Sequence, residues 1–294
     1  MMLYHNATAF LFAALVLRAQ VPPDPAEYLD AIARTAATFA ATAPRLMAEE
    51  TLKQRGRRSF VEVLRDAKKD EIRNLEIQLP EDFSVHEVVS SWGFAAFGEA
   101  QVLHEIRKIE TMDGEAVSDA TEARHAMTIG LQSPDDRTKR ELLEDFENNA
   151  LEGAVTDFGQ VILLFEKRRQ KDYDFTWAGE RHLGNQSAAV IRYRQVSGHD
   201  GLTVFKETTA QRQPTEGEVW LRTSDLLPLR ITINTVETLS KKYRIRTEAT
   251  VDYTPSRFGL VPLSVTHKQF LNSALMVEND LHYAAFERAD TMVP

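Results

Sequence analysis

The sequence predicts an α+β protein: a strongly curved antiparallel sheet, a half-open barrel, packed on an N-terminal amphipathic helix and a central helical insertion. Three observations predict it. Most of the chain alternates apolar and polar residues, as in GEVWLRTSDLLPLRITINT at 217–235, the mark of strands with one buried face. Helical periodicity is confined to the region after residue 24 and to the middle of the chain. The strands also outrun their cover. About ten strands spaced about 4.8 Å apart make a flat sheet about 48 Å wide, and three helices about 10 Å across shield about 30 Å of it. Curling narrows the apolar face and turns it toward its helices.

Residues 7–17, ATAFLFAALVL, form an uncharged run. It is shorter than the roughly 20 residues needed to span a bilayer, and with LRAQ behind it reads as a secretory signal cleaved after Ala19. A buried N-terminal helix is the other reading, since no Lys or Arg precedes the run. Asp24, Pro25 and Glu27 make a helix start by capping-box logic. Tyr28, Leu29, Ile32, Ala36 and Phe39 then form one apolar stripe, and Pro44 ends the helix. LMAEETLKQ, SFVEVLR, NLEIQL and VLHEIRKIETM read as strands, the last closed by the turn Asp113-Gly114. A helical interval follows. Residues 122–131 are weakly helical, and Ser133, Pro134 and Asp136 start a clearer helix carrying Leu142, Leu143, Phe146 and Ala150 on a narrow face. The run QVILLFEKR fits a short helix or a buried strand.

The remainder is a meander: DYDFTWAG, AAVIRYRQV, LTVFKETT, the 217–235 hairpin, KYRIRTEATVDY, GLVPLSVTHKQFL and ALMVENDLHYAAF. In KYRIRTEATVDY, Tyr243, Ile245, Ala249, Val251 and Tyr253 face one way, and Lys242, Arg244, Arg246, Glu248 and Asp252 the other. No repeat or long linker divides the chain, so the expected organisation is a signal peptide at 1–19 and a single domain at 20–294.

Composition excludes several classes. A formal charge of −9 over 294 residues argues against a nucleic-acid grip, which needs a basic face. The basic clusters KQRGRR (53–58) and KRRQK (167–171) fit a turn and a helix end, or contact with anionic headgroups. The chain has no cysteine, which removes disulfides, thiolate nucleophiles and Cys-ligated zinc. His86-Glu87 and His104-Glu105 lack the histidine at i+4 that a metalloprotease helix needs. No nucleophile elbow, P-loop or dinucleotide fingerprint occurs. Asp172 and Asp174 flank Tyr173 on one strand face and read as edge-guarding charges. The expectation is a non-enzyme without a cofactor or metal.

LHEIRKIETMDGEAV (103–117), YDFTWAGERHLG, GEVWLRTSDLLPLRI and RFGLVPLSVTHKQF…HYAAF resemble, in order and spacing, an uncharacterised family of predicted secreted bacterial proteins. The helix followed by a curved sheet, and the hairpin from Trp220 to Arg230, also resemble the outer-membrane lipoprotein carriers of the LolA/LolB type. That resemblance implies a LolA/LolB-like domain over 20–294 and a hollow that accepts acyl chains. The chain is longer than a typical carrier and has an extra helical insertion at 122–169.

The functional expectation is a periplasmic or secreted binding protein for lipid, lipoprotein or another amphipath. Phe175, Trp177, Ile191, Tyr193, Val219, Leu221, Ile231, Ile233, Tyr243 and Ile245 would line its concave face, with Trp220 on the convex side or at a rim. Ordinary core packing is the alternative for each. The competing function is an envelope interaction or stress-sensor protein with a filled core, meeting a protein partner through its loops or the charged helix at 133–151. Neither reading includes nucleic acid or a transmembrane segment in the mature chain.

Overall fold

The structure, a computed structural model, describes residues 25–57, 83–99, 101–148, 157–198, 202–206, 209–238 and 241–289. The expected signal at 1–19, the cap Asp24 and the expected strands SFVEVLR and NLEIQL lie outside the described residues.

In chain order, α1 (Pro25–Thr42) precedes β1 (Leu46–Arg57), β2 (Phe83–Phe97), β3 (Val102–Met112) and the two-residue β4 (Glu115–Ala116). Two helices follow, α2 (Ala120–Gln132) and α3 (Asp136–Asn148), then a 3-10 helix at Val161–Phe165. The meander comprises β5 (Tyr173–Leu183), β6 (Gln186–Gln195), β7 (Leu202–Lys206), β8 (Thr209–Gln213), β9 (Glu216–Arg222) and β10 (Pro228–Thr238). It ends with β11 (Arg244–Ser256), β12 (Gly259–Leu271) and β13 (Ala274–Arg288).

Eleven of these strands form one antiparallel sheet, ordered β4-β3-β2-β1-β13-β12-β11-β10-β9-β6-β5, and β7 with β8 forms a separate hairpin. The sheet is not closed: β4 and β5 are its edges. This is the expected α+β fold, a curved antiparallel sheet packed on helices. The first strand pairs with the last, β1 with β13, so the two ends of the described chain meet in mid-sheet.

Register explains the core. Partnered residues share a face, and the pairings line up one apolar row across the sheet: Trp177, Ile191, Val219, Ile231, Val251, Val265, Leu281, Leu52 and Val88. This row belongs to the inner face, which α1 and the 3-10 helix cover. Ile32, Ala36 and Phe39 of α1 and Val161, Ile162, Leu164 and Phe165 join it in one core. The back face of β1–β3 has its own cover. Met47, Ala95 and Ile106 pack there with Met127 and Leu131 of α2 and Leu142 of α3.

The helices start where local chemistry directs. The Asp119 carboxylate accepts from the Thr121 and Glu122 amides at the start of α2. At α3, Asp135 accepts from the Arg137 amide at 2.9 Å. Two segments differ from the sequence reading. QVILLF is neither an α-helix nor a strand but a short, buried 3-10 helix. The strand β2 escaped notice because Ser90 to Ala95 is buried on both faces, which erases the alternation that marks a one-sided strand.

Candidate functional site

The inner face is filled rather than hollow among the described residues. Ile191, Tyr193, Val219, Leu221, Ile231 and Ile233 are buried in the main core, and Phe175 and Trp177 pack against it half-buried. Tyr243 and Ile245 are buried as well. The one aromatic ring of the 3-10 helix occupies the concavity directly: Phe165 lies 4.9 Å from Tyr193, edge to face, and 6.3 Å from both Tyr173 and Phe175. Tyr28 of α1 lies 5.5 Å from Trp177. Burial raises the Tyr193 hydroxyl well above the ordinary tyrosine pKa, and that hydroxyl donates to the Thr232 carbonyl at 2.9 Å. Trp220 is on the outer surface as expected, its ring beside the Arg181 and Arg230 guanidinium groups.

A cluster of buried charges that the sequence reading missed ties the 3-10 segment to β3. Glu105 accepts from the Gly159 amide at 2.6 Å, from Trp92 Nε1 at 2.9 Å and from Arg107 Nη2 at 2.5 Å. Arg107 also grips Glu50 bidentately at 2.7 and 2.8 Å. Asp157 accepts from the Glu105 amide at 3.0 Å and from His104 Nδ1 at 2.7 Å. The Tyr253 hydroxyl donates to the Gly159 carbonyl at 3.1 Å and accepts from the Ile162 amide at 3.3 Å. The Tyr283 hydroxyl sits near Glu50 without a well-aligned hydrogen bond.

Burial is the largest influence on Glu105 and raises its pKa to about 7, against the lowering effect of Arg107. For Arg107, burial alone pulls downward; Glu50 and Glu105 together outweigh it and hold the guanidinium above its usual value. One signal in the sequence could have exposed this cluster. Glu105 and Arg107 share a strand face with Leu103 and Ile109, so two charges interrupt an otherwise apolar face.

Next to it runs a neutral polar ladder. Gln54 donates to Asn279 at 2.8 Å, and Asn279 meets His267 Nδ1 at 3.1 Å. The His267 ring lies 4.9 Å from Phe158, and burial lowers its pKa to about 4. While the Gln54 Oε1 is buried without a partner, these hydrogen bonds link β1, β13 and β12. The basic clusters behave similarly: Lys53 pairs with Glu87, Lys167 with Asp30 and Arg169 with Glu166. At the β5 edge, Asp174 pairs with Arg194 and Asp172 accepts from Ser197.

A half-open groove of about 320 Å³ lies between α1 and two hairpin turns. From α1 come Ala31, Arg34, Thr35 and Thr38. The β9–β10 turn contributes Asp225, Leu226 and Leu227, and the β11–β12 turn contributes Pro255, Ser256, Gly259 and Leu260. None of the sequence-predicted ligand residues lines it. The Thr35 and Thr38 hydroxyls donate back to the Ala31 and Arg34 carbonyls, so both residues satisfy their polar atoms within the helix. Asp225 is held bidentately by Arg222 at 2.8 and 2.6 Å, which keeps its carboxyl below the usual pKa. Leu226 takes a left-handed backbone conformation, φ 59°, which costs a non-glycine residue about 1–2 kcal/mol.

Fold and groove define an open, curved antiparallel-sheet protein of the α+β class, with a helix and a 3-10 segment in its concavity. Among the described residues no three His, Asp or Glu side chains gather as a metal site, and no helix is long and apolar enough to cross a membrane. No family model matches the chain, and no curated protein matches it. Among solved structures, it is similar to a DUF1329 family protein from Desulfovibrio piger, determined at 1.75 Å. The two are 8% identical with a TM-score of 0.39, over 92% of this chain and 95% of that one.

Proposed function

We propose that the protein is a non-enzymatic binding protein for an amphipathic ligand such as a lipid or a lipoprotein acyl chain, working in the periplasm or outside the cell. The groove carries this reading. Its volume falls at the small end of ligand sites, and leucine, proline and alanine side chains supply much of its wall. The helix beside it is anchored in the core chiefly by Ile32 and Phe39. The buried residues of α1 are Ala31, Ile32, Ala33, Ala36 and Phe39, and alanines bury little area per residue. Movement of α1 would extend the groove toward Phe175, Trp177 and the rest of the apolar row, which is where the acyl-binding expectation falls. Export is supported by the uncharged run at 7–17, and N-terminal sequencing of the mature protein should find Gln20 first.

Denaturing extraction and mass spectrometry of the purified, exported protein test the reading. Near-stoichiometric lipid, with a melting temperature that rises on adding more, is the expected result. A second reading, an interaction or sensor protein, is favoured by the aromatic packing of Phe165 against Tyr193. A clean sample whose melting temperature ignores added lipid would select that second reading and end the first.

A further inference from the structure

We propose that the groove selects a short, single-chain amphipath with an anionic head, the head on Arg34 and the chain against Leu226, Leu227 and Leu260. The inference rests on the binding reading above and adds the chemistry of its ligand.

Charge complementarity assigns the head. Two charged residues line the groove, Arg34 and Asp225. Asp225 is neutralised by its bidentate partner Arg222. Asp30, one turn earlier on α1, is taken by Lys167 at 2.5 Å. Arg34 is exposed; the Asp30 carboxylate feels its charge, but less than that of Lys167. The groove therefore presents at its helix wall one cation whose neighbouring carboxylate, Asp30, is engaged chiefly by Lys167. A guanidinium there accepts a carboxylate or phosphate in bidentate fashion.

Backbone geometry assigns the chain. Leu226 and Leu227 are half-buried and stand at a turn where a glycine would relieve the positive φ. The turn is clamped in that state. The Leu226 amide donates to the Arg222 carbonyl at 2.8 Å, the Arg222 amide to the Leu227 carbonyl at 2.9 Å, and the Leu227 amide to Asp225 at 3.3 Å. The strain maintains a leucine at the groove wall. Opposite, Gly259 at φ 105° leaves the β11–β12 wall without a side chain at that one position, beside Leu260. A volume of about 320 Å³ suits one short chain rather than a multi-chain lipid.

Calorimetric titration with decanoate, decyl phosphate and 1-decanol, each below its aggregation concentration, tests this on the whole mature protein. Either anion should bind at least tenfold more tightly than the alcohol; which anion is preferred identifies a carboxylate or a phosphate head. Arg34→Gln should remove that preference while leaving decanol binding in place. Leu226→Gly relaxes the backbone, so it should keep the parent melting temperature or raise it, yet weaken all three ligands several-fold. If Arg34→Gln leaves the anion-to-alcohol ratio unchanged while Leu226→Gly weakens everything, the head assignment fails and the groove stands. If nothing binds, or Leu226→Gly changes nothing, the groove reading fails and the head assignment goes with it.

Discussion

The two halves of the sheet bury their inner faces by different means. From β5 through β11 that face is almost wholly apolar, with Ile191, Val219, Ile231, Ile233, Ala249 and Val251 in register. From β12 through β3 the same face carries His267, Asn279, Gln54, Glu50, Glu105 and Arg107, all buried. One row makes the change visible: Ile233 pairs with Ala249, then Ala249 with His267, His267 with Asn279 and Asn279 with Gln54. The first half is stable because water is excluded from hydrocarbon. The second holds because Glu50, Glu105 and Arg107 are paired with one another, since an unpaired buried charge is costly. Polar pairing is directional, and it positions the segment from Asp157 to Phe165 over the sheet through Gly159 and Tyr253.

The contrast is sharpest when a charge is added to one half and removed from the other. Ile245→Asp puts an unpaired carboxylate into the apolar half and should cost more than about 4 kcal/mol. Its thermal unfolding should be lost or nearly so, and a parental melting temperature would show the inner face wrongly assigned. Arg107→Ala leaves Glu50 and Glu105 facing each other without their cation. A loss of about 3–5 kcal/mol is expected in urea unfolding; a loss below about 1 kcal/mol would reduce the cluster to a surface-like pair.

The pH response separates the two polar systems. Glu105 is raised to about 7, so the folded state holds its proton when the unfolded chain has released it. That contribution is complete below the unfolded glutamate pKa and is lost as pH rises through about 7. His267 is lowered to about 4, so its contribution is present above the unfolded histidine pKa and is lost as pH falls through about 4. The two oppose each other across the acid range. Relative to the parent, Glu105→Gln should gain about 3 kcal/mol between pH 4.5 and 7, and His267→Gln should lose a similar amount over the same rise, at ~1.4 kcal/mol per pKa unit. Parallel stability–pH curves for parent and variants would contradict both assignments.

The smallest effect is expected outside both halves. Arg181 meets Glu218 at 2.9 Å on the outer surface, where Arg192 also reaches Glu218 at 3.4 Å. Arg181→Ala should change stability by about 0–1 kcal/mol in the same unfolding assay. A larger loss would mean that the Trp220 stack contributes more than an exposed cation over a ring normally does.

How much was legible follows the same division. In β11, Ile245, Thr247, Ala249, Val251 and Tyr253 are buried while Arg244 to Thr254 alternate outward, as the two-residue period requires. The strand β12 runs from Gly259 to Leu271, the bounds of GLVPLSVTHKQFL. Where both faces are covered, as in β2, the period vanishes and so did the strand. In β3, Glu105 was read as part of a failed metal motif and Arg107 only as a strand residue, because the groups that bind them lie at Glu50, Trp92 and Gly159.

By itself the sequence determined the α+β class, the amphipathic first helix, the face each regular strand buries and the outward placement of Trp220. These depend on backbone periodicity, which is local. Tertiary structure alone decided that the concavity is filled by Phe165 and its neighbours, that buried charges pin the 3-10 segment, and that the described groove lies at the turns of Leu226 and Gly259. Those outcomes depend on which distant residues meet, and register across an eleven-stranded sheet is set by contacts that no short window of sequence contains.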